Sequence, residues 1–295
     1  MNENTLISMY RYKDFYEVCN EIDFNYVIIK GEALSIQNYN KEGKRISGDI
    51  DILVSPRNLK KLDKILNDKG YKTPSIDREK YLFFLSNSHQ LQPYLKKECK
   101  VPIVIDVNFD IFWGEYDGKR IDIDEFIDDA IDIRIYDCGF KTLSIYKAFI
   151  YLVLHGYKDL NSIYLLSTRK QLNINVLKDL YDFIKNNHKE LDLNKLYELC
   201  HGYEIIEYVY YMMYYISKLF EDEVIEQYLM KFKSKKVDEL IDFYGLSNEE
   251  RKKWIIPFEL RKNVNDLNDY LNLDEEDIKK IKINNSYFKG KKYEE

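Results

Sequence analysis

The sequence predicts an α+β chain: an N-terminal mixed sheet flanked by helices, followed by a mostly helical region. Two observations carry this. Short apolar runs, "FNYVIIKG", "DIDILV" and "VPIVIDVNFDIF", are separated by one helix-length connection and several turn-length ones, so parallel and antiparallel pairs are expected in one sheet. Beyond about residue 139 strand signals fade and one helical candidate follows another. The resulting parts, 1–139 and 140–295, are each of ordinary domain length.

In order, a mixed apolar pattern from Thr5 to Cys19 predicts a helix. A buried strand over 26–30 ends at Gly31, and "GEALSIQNYN" starts a helix just past that glycine. A polar loop, "NKEGKRISG", leads into the strand "DIDILV". The segment "SPRNLKKLDKILNDKG" then has the signs of a helix. Ser55 is placed to cap, Pro56 suits the first turn, Leu59, Leu62, Ile65 and Leu66 form one stripe, and Gly70 can end it. "EKYLFFLSN", "HQLQPYLK" and "VPIVIDVNFDIF" are expected as strands joined by short turns. "KTLSIYKAFIYLVLHGYKDL" opens the helical part, with Thr142 as its cap. "LDLNKLYELCHGYEIIEYVYYMMYYISKLF" is expected as one long helix whose tyrosines line the core, and "KKVDELIDFYG" as another helix.

Composition narrows the function. A hydrophobic fraction of 45% and a charged fraction of 33% describe a folded chain. A formal charge of -6 makes a nucleic-acid partner the less favoured one, despite the lysine clusters "KFKSKK" and "KGKK". No membrane partner is expected, because Glu204, Glu207 and Lys218 interrupt the most apolar tract. Cys19, Cys99, Cys138 and Cys200 lack the spacing of a thiolate metal site or a disulfide framework. The first residues do not resemble a secretory signal, so the cytoplasm is the expected location.

The chemistry concentrates in "SGDIDILV". Residues i and i+2 of a strand share a face, so Asp49 and Asp51 point one way while Ile50 and Ile52 point the other. Their Cα atoms lie about 6.6 Å apart, near enough for both carboxylates to grip one cation. Without a cation they repel. Asp106 repeats the setting, sharing a face with Val104 and Asn108, while Ile103, Ile105 and Val107 take the opposite one. A short-turn meander that set this strand beside "DIDILV" would bring three carboxylates together. All-oxygen ligands select a hard ion, Mg²⁺ or alternatively Mn²⁺, whose shell a phosphate completes. Gly31, between strand and helix, leaves backbone amides accessible to phosphate oxygens. The plain alternative is a solvated edge strand, an Asp106–lysine pair and a simple turn at Gly31.

Together, "KGEAL", "RISGDIDILV" and "VIDVNF" resemble the nucleotidyltransferase superfamily typified by DNA polymerase beta. More narrowly they resemble a group of uncharacterised bacterial members with a Lys-Gly-x-Ala-Leu opening, an arginine four residues before D-x-D, and a later Val-Asp-Leu-His-like strand. Lys30, Gly31 and Arg45 match that pattern, Glu32 stands where many members have serine, and Asn108 replaces the histidine. "LHGYKDL" resembles a His-x-x-Lys-His element, matching at His155 and Lys158 with Asp159 in place of the second histidine, and Asp179 resembles an acid of the next helix.

The resemblance implies a polymerase-beta-like sheet and a metal-dependent enzyme. Such an enzyme moves a nucleoside monophosphate from a nucleoside triphosphate (ATP or another) to a hydroxyl of a small molecule or protein. It implies Asp49, Asp51 and Asp106 as catalytic metal ligands, and Lys30, Gly31, Glu32, Arg45, His155 and Lys158 as nucleotide contacts. Taken alone, a histidine in so apolar a helix is more often a hydrogen-bonded core residue than a reactive one. Two alternatives stand beside this: an RNA- or tRNA-directed enzyme or toxin of the same fold, and a nucleotide-binding or regulatory protein without turnover.

Overall fold

The computed structural model describes residues 3–45, 47–74, 78–97, 101–113, 119–234 and 240–288. The chain divides into two compact units. One carries the sheet and runs to Tyr151, with Lys189–Leu191 added; the other begins at Leu152 and holds Asp192 onward.

The first unit opens with α1 (Glu3–Cys19), followed by β1 (Tyr26–Ile28), α2 (Gly31–Tyr39) and β2 (Ile50–Val54). Then come α3 (Leu59–Asp68), α4 (Arg78–Asn87), β3 (Tyr94–Lys96), β4 (Ile103–Asn108), α5 (Ile123–Phe126), β5 (Ile131–Ile135) and β6 (Cys138–Thr142). Helix α6 (Ile145–Asn161) begins in this unit and ends in the next. Among the described residues six strands form one sheet in the order β3-β4-β2-β1-β6-β5. β1 is antiparallel to β2 and parallel to β6, and β2 is parallel to β4. Alternation sends Ile50, Ile52, Val54, Ile103, Ile105 and Val107 into one core with Phe15 and Val18 of α1. Each such side chain, fully covered, contributes about 1.5–3 kcal/mol. The mixed sheet with a helical continuation is the architecture the sequence predicts.

Several local expectations are corrected. "EKYLFFLSN" is helix α4. A short apolar run carries no decisive period, and the connection settles the matter: β2 and β4 are parallel, which a short-turn meander cannot achieve. The chain crosses over through α3, α4 and β3 instead. The hairpin β5–β6 was not anticipated from the sequence. Its turn uses Tyr136 and Asp137 at φ 49 and 66, a left-handed pair that glycine and asparagine usually supply. Thr142 accordingly lies in β6, its hydroxyl donating to the Ile28 carbonyl at 2.7 Å, and does not cap α6. Ser55 does not cap either; its hydroxyl donates to Asp124.

The second unit contains the end of α6, then α7 (Ile163–Arg169), α8 (Asn175–Asn187), α9 (Leu193–Gly202), α10 (Ile206–Ser217), α11 (Glu223–Phe232), β7 (Phe243–Tyr244), β8 (Lys252–Lys253), α12 (Phe258–Arg261) and α13 (Glu275–Phe288). The predicted long tyrosine helix is two helices, α9 and α10, broken around Glu204 at φ 55. "KKVDELIDFYG" ends in β7 rather than in helix, and its residues 235–239 lie outside the described residues. Cys99 and the "KGKK" cluster also lie outside them, as does part of "KFKSKK". Cys19, Cys138 and Cys200 are free thiols, and burial pushes the Cys19 thiol up to about 12.

Tyr208, Tyr210, Tyr211 and Tyr215 of α10 are core, and the hydroxyls of Tyr211 and Tyr215 are paired. Tyr211 donates to Asn161 at 3.0 Å, and Tyr215 accepts from the buried Arg261 at 3.0 Å. The Arg261 guanidinium lies 4.7 Å from the Trp254 ring centre, a cation–π contact that offsets part of its desolvation. Among the described residues no helix is long and apolar enough to cross a membrane.

Gly245 adopts φ 103, and a Cβ there would press into the Glu250 carbonyl. Gly245→Ala is therefore expected to cost about 2 kcal/mol or more, measured by urea unfolding. Gly202→Ala, where nothing lies within 4 Å, should leave stability unchanged or slightly raised.

Candidate functional site

The central position belongs to Asp51. It lies in β2 between two neighbours, with β1 on one side and β4 on the other. The register sets Asp51 directly beside Asp106. Paired residues of parallel strands point to the same face and their backbones run about 4.8 Å apart, so the two acidic side chains leave the sheet on the same face from neighbouring positions. On the β1 side, the Ile29 amide donates to the Asp51 carbonyl at 3.1 Å. That bond brings the next residue, Lys30, alongside, and its Nζ lies 2.9 Å from Asp51 Oδ1. Asp51 is only 5% exposed, so this ion pair is largely withdrawn from water.

Asp49 stands one residue before β2, and its carboxylate accepts a short hydrogen bond from the Ser47 hydroxyl. Among the described residues no group of three or more His, Cys, Asp or Glu side chains is gathered as a metal site. The expected meeting of three carboxylates is thus seen as an in-register pair, with Asp49 held by Ser47 and Asp51 by Lys30. Like charges without a cation repel, and local partners relieve that repulsion. The donor set itself, carboxylate oxygens with no sulfur or imidazole, fits a hard divalent cation.

Gly31 opens α2 at φ 55. A Cβ there would come 3.0 Å from the Tyr12 hydroxyl and 3.5 Å from Ser47 Cβ, so glycine is what lets α1, α2 and the Ser47 loop approach. The amides just past it have partners: Glu32 N–H donates to Tyr12 Oη at 3.3 Å and Ala33 N–H to the Lys30 carbonyl at 3.2 Å. Burial drives the Tyr12 phenol well above its usual range, so that hydroxyl stays neutral. Arg45 follows the same loop, its amide donating to Ser35 Oγ at 3.3 Å.

Glu32 is fully buried. Its carboxylate accepts from Ser8 Oγ at 2.7 Å, Tyr136 Oη at 2.5 Å and the Gly43 amide at 2.7 Å. This hub ties α1, the β5–β6 turn and the loop before Arg45 to the start of α2. Glu32→Ala would leave three donors without their acceptor, at about 3 kcal/mol in all. Glu32→Gln, which keeps an acceptor oxygen, should lose less, and urea unfolding of the two variants checks the order. Tyr12, Ser8, Tyr136 and Arg11, whose guanidinium donates to the Ser47 and Pro102 carbonyls, were not singled out from the sequence. They occupy no motif, and one tyrosine among 27 carries no mark.

Asn108 pairs with Leu53 across the same two strands and is buried, its side-chain amide donating to the Ile52 carbonyl at 3.2 Å. In the second unit, His155 and Lys158 lie on α6 around Asp159, with His155 Nε2 at 4.0 Å and Lys158 Nζ at 3.7 Å from its carboxylate. Arg169 of α7 completes the group at 2.6 Å, and Asn173 donates to it at 2.9 Å. Burial alone would raise the Asp159 pKa; the surrounding His155, Lys158 and Arg169 outweigh it and hold the carboxyl well below the usual range. Arg169 and Asn173 were likewise not anticipated, because only folding brings α7 onto α6. Asp179 is half-buried on α8.

Residues 6–221 match a protein family described as "Uncharacterised nucleotidyltransferase". No curated protein matches the chain. Among solved structures, the chain is similar to an antigenic nucleotidyltransferase-like protein from Paracoccidioides brasiliensis, at 12% identity over 62% of this chain and 76% of that one, with a TM-score of 0.36. That likeness is too slight to bear on chemistry.

Proposed function

Because the chain belongs to this family of uncharacterised nucleotidyltransferases, we propose that it transfers a nucleoside monophosphate from a nucleoside triphosphate to a hydroxyl of a small molecule or protein, releasing pyrophosphate. The observation that carries this is the in-register pair Asp51 and Asp106 on adjacent parallel strands, with Lys30 and the Gly31 junction beside it. Asp49, Asp51 and Asp106 would hold Mg²⁺, or Mn²⁺ in its place. The cation, when bound, supplies charge neutralisation for the triphosphate and lowers the pKa of an acceptor hydroxyl.

The protein's own groups do the rest. Asp106 would take the acceptor's proton as the acceptor oxygen attacks the α-phosphorus and the bond to the β-phosphate oxygen breaks. Gly31, with no side chain of its own, would let a phosphate oxygen approach its backbone. Lys30 and Arg45 supply positive charge for the departing pyrophosphate. Glu32 acts by holding the Gly31 segment in place. His155 and Lys158 are assigned to the nucleotide on their motif resemblance, with Asp159 fixing their orientation.

Incubation with the four ribonucleoside triphosphates and cell extract, followed by mass spectrometry and a pyrophosphate assay, tests this. Nucleotide-bearing products are expected, abolished by chelator and restored by Mg²⁺. A second reading, a nucleotide-binding protein without turnover, is favoured by the Lys30–Asp51 ion pair. Tight nucleotide binding with no pyrophosphate released for any acceptor would support it over transfer.

A further inference from the structure

We propose that Lys30 is the resident counter-cation of Asp51, occupying the carboxylate that a divalent ion takes over, and that ion binding displaces its ammonium toward the triphosphate. This rests on the divalent-ion reading above.

A carboxylate 5% exposed cannot stay charged cheaply without a partner, and Asp106 at the paired position adds repulsion rather than relief. Lys30 Nζ, 2.9 Å from Asp51 Oδ1, supplies the missing positive charge. It is attached in a way that permits exchange. The backbone of Lys30 is fixed, its carbonyl accepting from Ala33 N–H at 3.2 Å, while its ammonium sits at the end of a four-carbon stem with several rotatable bonds. Its ammonium already lies 6.0 Å from the Tyr151 ring centre, so a π face is within reach as a second seat. The side chain of Lys30 is 18% exposed, so a released ammonium has a route to water or phosphate.

A lysine that merely stabilises the fold and a lysine that holds an ion's place make opposite predictions. An opposite charge within about 4–6 Å changes a carboxylate's affinity for a competing cation by one to three orders of magnitude. If Lys30 competes, Lys30→Met should bind Mn²⁺ about tenfold more tightly than wild type in the absence of nucleotide. Electron paramagnetic resonance titration of full-length protein with Mn²⁺ reads this directly. Asp51→Asn should weaken binding in the same assay. A second measurement uses wild type alone: acetylation of Lys30, followed by mass spectrometry, should increase severalfold when Mn²⁺ is added.

Unchanged or weaker Mn²⁺ affinity in a folded Lys30→Met, or Lys30 acetylation indifferent to bound Mn²⁺, overturns the inference and leaves the divalent-ion reading standing. No Mn²⁺ binding by either protein overturns both.

Discussion

Replacing Asp51 and Asp106 together by asparagine is expected to lower pyrophosphate release by about 10³-fold or more while the protein stays folded. The two effects separate because they have different origins. Activity is lost because neutral amides bind a hard divalent cation far more weakly than carboxylates do. Stability responds to two opposed changes. Lys30 loses its partner, but its side chain is 18% exposed and can reach water, and the repulsion between two adjacent carboxylates disappears. The net change should stay within about 1 kcal/mol. Steady-state pyrophosphate assays and urea unfolding on one preparation check both halves. Turnover within tenfold of wild type would remove the catalytic role of the pair.

Asp159→Asn is expected to be the most damaging single change in the second unit, costing about 3–5 kcal/mol. The buried carboxylate is surrounded by Arg169 at 2.6 Å, Lys158 at 3.7 Å and the His155 ring at 4.0 Å, so its removal leaves the Arg169 and Lys158 cations without their shared counter-charge. The pH dependence has a definite sign. A carboxyl held below its usual range in the folded state contributes stability that is complete above the unfolded value of about 3.9. That contribution is lost as pH falls toward the lower folded value. The gap between wild type and Asp159→Asn should therefore be widest near neutrality and narrow below about pH 4. Urea unfolding at several pH values measures it, and a gap that grew in acid would contradict the assignment.

The polar face of the sheet was legible because strand alternation is local. Asp49, Asp51, Asp106 and Asn108 sort by period two whatever the pairing, and the apolar residues between them mark the covered side. The pairing itself was not legible. Placing Asp106 beside Asp51 depends on a parallel crossover through α3, α4 and β3, a long-range choice that no short pattern encodes. The same limit explains α4, whose apolar residues show no decisive period, and the β5–β6 hairpin, whose turn uses tyrosine and aspartate at positive φ. Lys30 was visible as part of a motif. Its ion pair with Asp51 emerges only when β1 and β2 are adjacent. The Glu32 hub draws on residues 24, 11 and 104 positions away, which sequence proximity cannot reveal.

Crystals soaked with Mn²⁺ and a non-hydrolysable nucleoside triphosphate analogue test the central claim most directly, through the anomalous signal of the metal. A peak bridging Asp51 and Asp106 carboxylate oxygens, with the triphosphate beside it, is the predicted result. A fully occupied triphosphate with no anomalous peak at those two side chains, or with the metal bound elsewhere, would contradict it.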